Sequence, residues 1–261
     1  MTYNEQEMWI DRVDPRDASK RIHLFGVLRI PEGARTPLPA VICSHGFTAN
    51  HKEADPYAIA LAQAGVVTLA LDFFGGGAEV RSDGTLLDMT VATEADDLTA
   101  FVDAMATLPE VDGNRIGLLG CSQGGFVSTM VAARMPERIW RLALMYPAFV
   151  LHDDAVRSYP NPDDIPDSYL AFPGYELSRI SRAYNLVARE TDPYELMGLF
   201  AKDVLIVHGD NDTVVPLTYS KKAQRTFANA RLIVNCKGTH GFTNEQLDHA
   251  TGWVCEFFTK G

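Results

Sequence analysis

No apolar run in this chain reaches the 18 or so residues that a membrane-crossing helix needs, so no spanning segment is expected. Cysteine is sparse. The four residues Cys43, Cys121, Cys236 and Cys255 form no CxxC pair and no dense framework. Cys43 and Cys121 close apolar runs, where a cysteine acts as a small hydrophobe. The N-terminal stretch "MTYNEQEMWIDRVDPRD" has neither the basic start nor the apolar core of a signal peptide. Together these features point to a reduced, cytoplasmic protein, with a mature secreted form stripped of its leader left open.

Positive charge is also in short supply. Lys and Arg total 23 against 34 Asp and Glu, a formal net charge of −11. Such a surface repels phosphate backbones and anionic headgroups, and no basic stripe reverses it. Nucleic-acid and membrane partners are therefore disfavoured. Gly75, Gly76 and Gly77 lack the G-x-G-x-x-G spacing and no Walker lysine follows them, which excludes a phosphate cradle. No His, Cys or Asp cluster has metal-ligand spacing; His152, Asp153 and Asp154 are adjacent and would point in different directions on most backbones. Neither a metal nor a cofactor is expected.

What the chain does contain is strand–helix alternation. "MWIDRV" (8–13), "FGVLRI" (25–30), "LPAVICSHG" (38–46), "VVTLALD" (66–72), "RIGLLG" (115–120) and "IWRLALMYP" (139–147) read as six strands, and "DVLIVHG" (203–209) and "RLIVNCKG" (231–238) as two more. Between them lie helical patterns at 55–65, from Val91 to Leu108, at 124–136, around 218–228 and at 244–260. Asp55 suits an N-cap there, Pro56 the first turn and Gly65 the stop. In the helix from Val91, apolar residues recur at helical spacing, with acids expected on the opposite face. Alternation of this kind builds an α/β fold with a mostly parallel central sheet flanked by helices. The 261 residues, 46% of them apolar, suit one such domain over 1–261. One stretch breaks the rhythm. Residues 148–200 carry four prolines within 14 positions and several aromatics, and read as an insertion or lid after the sixth strand, folded over one end of the sheet.

The chemistry centres on "GLLGCSQGGF" (117–126). Gly120-Cys121-Ser122-Gln123-Gly124 fits G-x-S-x-G, with a strand entering and a helix leaving. A serine at such a turn holds a strained backbone, and side chains two positions away on either side would collide. Glycine removes both, and the hydroxyl stands exposed beyond the strand end. The plainer reading of Ser122 is a helix N-cap. A serine alcohol needs a base to attack an ester. His240, in "CKGTHGF", follows the last strand and can reach across. "HGDNDTVVP" (208–216) supplies the acid that would hold the imidazole, either Asp212 or Asp210, with Asp212 favoured and the other left to bond loop amides. Serine–acid–histidine is the chain order this turn requires. "SHGFTANH" (44–51) offers the Phe47 N–H as an oxyanion donor beside that of Gln123. His45 reads as a structural hydrogen-bonder, His208 as packing, and Asp72 and Asp83 as loop acids.

The elbow, the acid loop, "GTHGF" and "HGF" together resemble the α/β-hydrolase superfamily over nearly the whole chain. "SHGFTAN" (44–50), "NPDDIPD" (161–167) and the size of the insertion resemble bacterial cinnamoyl or feruloyl esterases. That resemblance implies hydrolysis of hydroxycinnamate esters, a homodimer, and two residues holding the phenol hydroxyls: Asp154 in "LHDDA" and Tyr184 in "AYNLVARETDPYE". The plainer readings are an exposed acid and a core phenol. The chain departs from the commonest elbow in having Cys121 where many relatives carry histidine, and in the bulk of its 73–84 loop. Other acyl specificities, thioesters, peptides, or ligand binding on an idle triad are the rival functions.

Overall fold

Every residue of Val67–Leu71 is buried. A strand hidden on both faces needs a helical layer on each side, and that requirement organises the molecule. The structure, a computed structural model, describes every residue except Ala34, Thr36 and Gly261. In chain order the chain forms β1 (Tyr3–Asp14), β2 (Asp17–Pro31), β3 (Leu38–Ser44), α1 (Asp55–Gln63), β4 (Val67–Leu71), α2 (Val91–Met105), β5 (Val111–Cys121), α3 (Gln123–Arg134) and β6 (Ile139–Met145). After an insertion come β9 (Val204–Gly209), α7 (Leu217–Thr226), β10 (Ala230–Asn235) and α8 (Asn244–Thr259). The insertion itself holds α4 (Leu151–Ser158), a β7 (Ser168–Leu170) and β8 (Arg179–Ser181) pair, α5 (Arg182–Glu190) and α6 (Pro193–Met197).

The eight-stranded sheet runs β1-β2-β4-β3-β5-β6-β9-β10. Only β2 runs against the rest, pairing antiparallel with both β1 and β4. Alternate residues of each central strand feed opposite faces. In β3, Ala40 and Ile42 join the core beneath α2 and α3, while Val41 and Cys43 join the one beneath α1 and α8. The order reverses around β3, which has β4 on one side and β5 on the other. Ligands of open α/β sheets bind beyond the strand C-termini at such a reversal. Register brings those ends level: Ser44 pairs with Gly120, and Cys121 with Met145.

The expected elements form, with instructive differences. The N-terminal hairpin spans 12 and 15 residues, well beyond the expected 8–13 and 25–30. Its outer strand alternates exposed and partly covered residues, so its ends carry no apolar run to reveal them. Ala54, not Asp55, is the N-cap of α1. Asp55 instead meets the Arg29 guanidinium at 2.8 Å. The acids of α2 are not all on its outer face. Asp96 and Asp103 are outward and pair with Arg134 and Arg138, but Glu94 and Asp97 are buried at 1% and 0% exposure. Asp97 binds Arg12 of β1.

In the insertion, α4 packs on α5. Its proline-rich loop has few N–H groups to offer, and arginines bind its carbonyls instead. Arg182 reaches Pro162 O and Ile165 O, and Arg189 reaches Tyr159 O and Pro160 O. Among the described residues no helix is long and apolar enough to cross a membrane.

Candidate active site

β5 ends at Cys121 and α3 begins at Gln123, so the whole turn falls on Ser122, whose φ is +49°. Only tight glycine packing allows this. A Cβ on Gly120 would lie 2.2 Å from Gly124 O, and one on Gly124 would lie 2.4 Å from His45 O. Ser122 occupies the N-cap position, but its side chain makes no capping bond. Its Oγ lies 2.9 Å from His240 Nε2.

His240 stands on the loop between β10 and α8. That loop lies against the one after β9 because two glycines touch: a Cβ on Gly209 would meet Gly238 O at 2.1 Å. The close approach brings Asp212 Oδ2 to 2.8 Å from His240 Nδ1. Tyr146 sets its ring edge-on to the imidazole, centroids 5.0 Å apart. Asp212 Oδ1 accepts the Val214 and Val215 N–H groups at 2.9 and 2.8 Å. Burial pushes the Asp212 pKa up. The hydrogen bonds from His208, His240 and the Val215 amide, with the charge of His240, outweigh it and hold the carboxyl well below the usual carboxylate range. Asp210 is elsewhere, accepting the Lys237 N–H at 2.5 Å. Ser122, His240 and Asp212 are thus brought together, and Asp210 is not among them.

Phe47 follows β3 on a loop pressed against the elbow, where a Cβ on Gly46 would lie 2.9 Å from Ser122 Cβ. Glu53 Oε2 accepts the Gly46 N–H at 2.5 Å, and Thr48 N–H donates to Gly76 O at 3.1 Å. Among the described residues, neither the Phe47 nor the Gln123 N–H donates to a main-chain acceptor. Gly77 backs this loop so closely that a Cβ there would lie 2.0 Å from Ala49 O. The glycines of 75–77 therefore serve close packing. His45 is buried, its Nδ1 2.7 Å from Gly46 O and its Nε2 accepting the Phe73 N–H; burial lowers its pKa. Asp72 accepts from His51 and the Arg81 amide, and Asp83 from the His23 amide.

A cleft of about 320 Å³ opens over Ser122 and His240. Its walls are largely apolar and aromatic, with Phe47, Val150, Tyr169, Phe172, Ile180 and Val214 among them. Asp154 and Tyr184 both line it. The Asp154 side chain is 46% exposed and 2.8 Å from Arg157 Nη1; partial burial raises its pKa despite that partner. Tyr184 is 5% exposed, and its hydroxyl donates to Gln123 Oε1 at 2.5 Å.

The pattern of Peptidase_S9, the prolyl oligopeptidase family, matches residues 50–260. The chain belongs to the prolyl oligopeptidase family. This member of it has the α/β-hydrolase fold. Among solved structures it resembles Est1E from Butyrivibrio proteoclasticus with ferulic acid bound, at 28% identity and a TM-score of 0.84, over 96% of this chain and 97% of that one. The fold is shared with mouse α/β-hydrolase domain-containing protein 10, at 18% identity and a TM-score of 0.75, over 98% and 99% of the two chains. An uncharacterised 31.7 kDa protein of the traX-finO intergenic region of Escherichia coli is 33% identical over 98 residues, 37% of this chain. The match spans 33% of that relative's length.

Two buried groups at the site were not singled out by sequence as functional. His208, expected to pack, sets Nε2 3.2 Å from Asp212 Oδ2. Glu94 Oε2 accepts the Gln123 Nε2–H at 2.8 Å. The signal available for His208 was its place in "HGDND", four residues before the acid. For Glu94 it was an acid one turn after Thr90, among residues that the helical period places inside.

Proposed function

We propose that the protein is a serine carboxylesterase that hydrolyses hydroxycinnamate esters of the feruloyl or cinnamoyl type. The observation that carries this reading is the unbroken chain Ser122 Oγ–His240–Asp212, with contacts of 2.9 and 2.8 Å, opening into an apolar, aromatic-walled cleft.

The steps follow from the geometry. Ser122 Oγ attacks the ester carbonyl while His240 Nε2 takes its proton. Asp212 accepts a hydrogen bond from Nδ1–H, fixing the tautomer and stabilising the imidazolium. The Phe47 and Gln123 amides hold the oxyanion, a role in which one donor is worth about a hundred- to a thousandfold in rate. His240 returns the proton to the leaving alcohol. It then takes one from water as that water attacks the acyl-enzyme, and hands it to Ser122 Oγ as the ester bond to the enzyme breaks and the acid leaves. No step calls for a metal or cofactor. A planar aromatic acyl group suits the walls formed by Phe47, Tyr169 and Phe172. The carboxyl of Asp154 on the cleft lining supports a contact with a phenol hydroxyl. Est1E, the 28% identical neighbour, was solved with ferulic acid bound.

Methyl ferulate and p-nitrophenyl butyrate, each given to wild type and Ser122→Ala, test the reading. A much higher kcat/KM on the ferulate, with the variant inert on both, supports it. Turnover of the butyrate alone would remove the acyl specificity and keep the esterase. The family match favours a second reading, amide hydrolysis. Peptide p-nitroanilides in the same assay decide it: cleavage of these in preference to both esters makes the protein a peptidase.

A further inference from the structure

Glu94 is a carboxyl near the nucleophile that the proposed steps leave unused. It sits on the inner face of α2 at 1% exposure. Oε2 accepts from Gln123 Nε2 at 2.8 Å, and Oε1 is buried with no protein partner. Burial drives its pKa well above the ordinary value, against the Gln123 bond, and nearby Asp97 adds to the rise. Burial thus favours the protonated form of Glu94, since an ionised oxygen left unpaired in such a place is costly.

Gln123 is held at its other end too. Its Oε1 accepts the Tyr184 hydroxyl, which comes from α5 of the insertion. Tyr184 also lies beside Phe47, ring centroids 6.0 Å apart. One tyrosine thus touches both residues whose amides are proposed to hold the oxyanion. The residue before Gln123 is Ser122, at φ +49°. A strained turn relaxes unless its surroundings fix it, and here the side chain just after it is tied at both ends.

We infer that Glu94, the Gln123 side chain and Tyr184 form a positioning chain that fixes the Gln123 and Phe47 amides relative to Ser122 and couples the insertion to the oxyanion hole. This rests on the esterase reading. Glu94 and Tyr184 are its two anchors and touch no reacting atom. The Tyr184 hydroxyl proton is committed to Gln123, so Tyr184 acts on rate through the amides more than on substrate affinity through its own donor.

The test measures p-nitrophenyl butyrate hydrolysis by wild type, Tyr184→Phe, Glu94→Leu, Glu94→Gln and the Glu94→Leu/Tyr184→Phe double variant. The rate of Ser122 phosphonylation by a fluorophosphonate, whose oxygen meets the same amides, is a second readout. Tyr184→Phe and Glu94→Leu should each lower kcat about tenfold, as small misplacements at a reacting centre do, with KM within about twofold. Glu94→Gln should recover most of that loss without moving the kcat–pH midpoint, because a neutral amide carbonyl can accept the same bond. The double variant should lose little more than the worse single one, since both cut one chain. Tyr184→Phe removes a single oxygen and carries the test if Glu94→Leu does not fold. Unchanged kcat and phosphonylation in Tyr184→Phe, losses confined to KM, multiplying losses, or a shifted pH midpoint in Glu94→Gln would each overturn the inference. Ser122→Ala separates the two claims. If it keeps full turnover, the esterase reading falls and takes the inference with it. If it is inert while the anchor variants match wild type, only the inference falls.

Discussion

The imidazole of His208 lies 3.2 Å from the same Asp212 oxygen that meets His240 at 2.8 Å. Its Nε2 also faces Val215 O at 2.9 Å, and its Nδ1 lies 2.7 Å from Ser220 Oγ. A carbonyl and a carboxylate only accept, so Nε2–H donates to them, while Nδ1 pairs with the Ser220 hydroxyl. His208 therefore clamps the same carboxylate oxygen that meets His240. His208→Phe removes the clamp and should lower kcat/KM on p-nitrophenyl butyrate by about tenfold, with KM little changed. Steady-state kinetics on a variant of wild-type melting temperature check this.

Asp212→Asn should cost far more, on the order of 10⁴ in kcat, because an amide leaves His240 in the wrong tautomer. The same residue links the site to acid stability. Its folded pKa lies below its unfolded value of about 3.9. The stability it contributes is fully present above that unfolded value and is lost as pH falls through the folded one. Urea midpoints should thus fall from about pH 4 downward in wild type, and fall less steeply in Asp212→Asn. Equal slopes would show that Asp212 is not held ionised by the fold.

Two glycine replacements should act in opposite directions. Gly124→Ala drives a Cβ to 2.4 Å from His45 O and should cost more than about 3 kcal/mol, or prevent folding. Gly252→Ala sits inside α8 with nothing within 4 Å of the new carbon and should add about 0.5–1 kcal/mol. Thermal melts of both variants beside wild type read the two signs.

Phe172 is 47% exposed at the cleft wall, its ring centroid 5.9 Å from that of Phe47. Phe172→Ala should raise KM for methyl ferulate several-fold, in line with an aromatic contact of about 1 kcal/mol, and should affect p-nitrophenyl butyrate less. An equal effect on both esters would remove Phe172 from recognition of the acyl ring.

Much of this site was legible because its parts announce themselves locally. Gly120, Ser122 and Gly124 record a tightly packed turn, and the acid and histidine loops follow in the order found with such a turn. The buried strands were legible as continuous apolar runs. Contacts between distant segments that carry no motif were not. Glu94 meets Gln123 from 29 positions away, and His208 reads as packing until the fold places it on Asp212. The ends of β1 and β2 were missed because exposed edge strands alternate polar residues without an apolar run. In the insertion, order comes from arginines binding proline-loop carbonyls, a pairing that no periodicity encodes.

The atoms that crowd Gly120 and Gly124 are main chain. No substitution elsewhere can shrink a carbonyl oxygen, so an intolerable change at either glycine has no suppressor among the surrounding side chains. The elbow is closed to gradual adaptation. The cleft walls contributed by 148–184 are side chains, and each can be exchanged without disturbing the turn. Over evolutionary time, selection for new substrates would be channelled into the insertion, while the nucleophile's frame stays as it is.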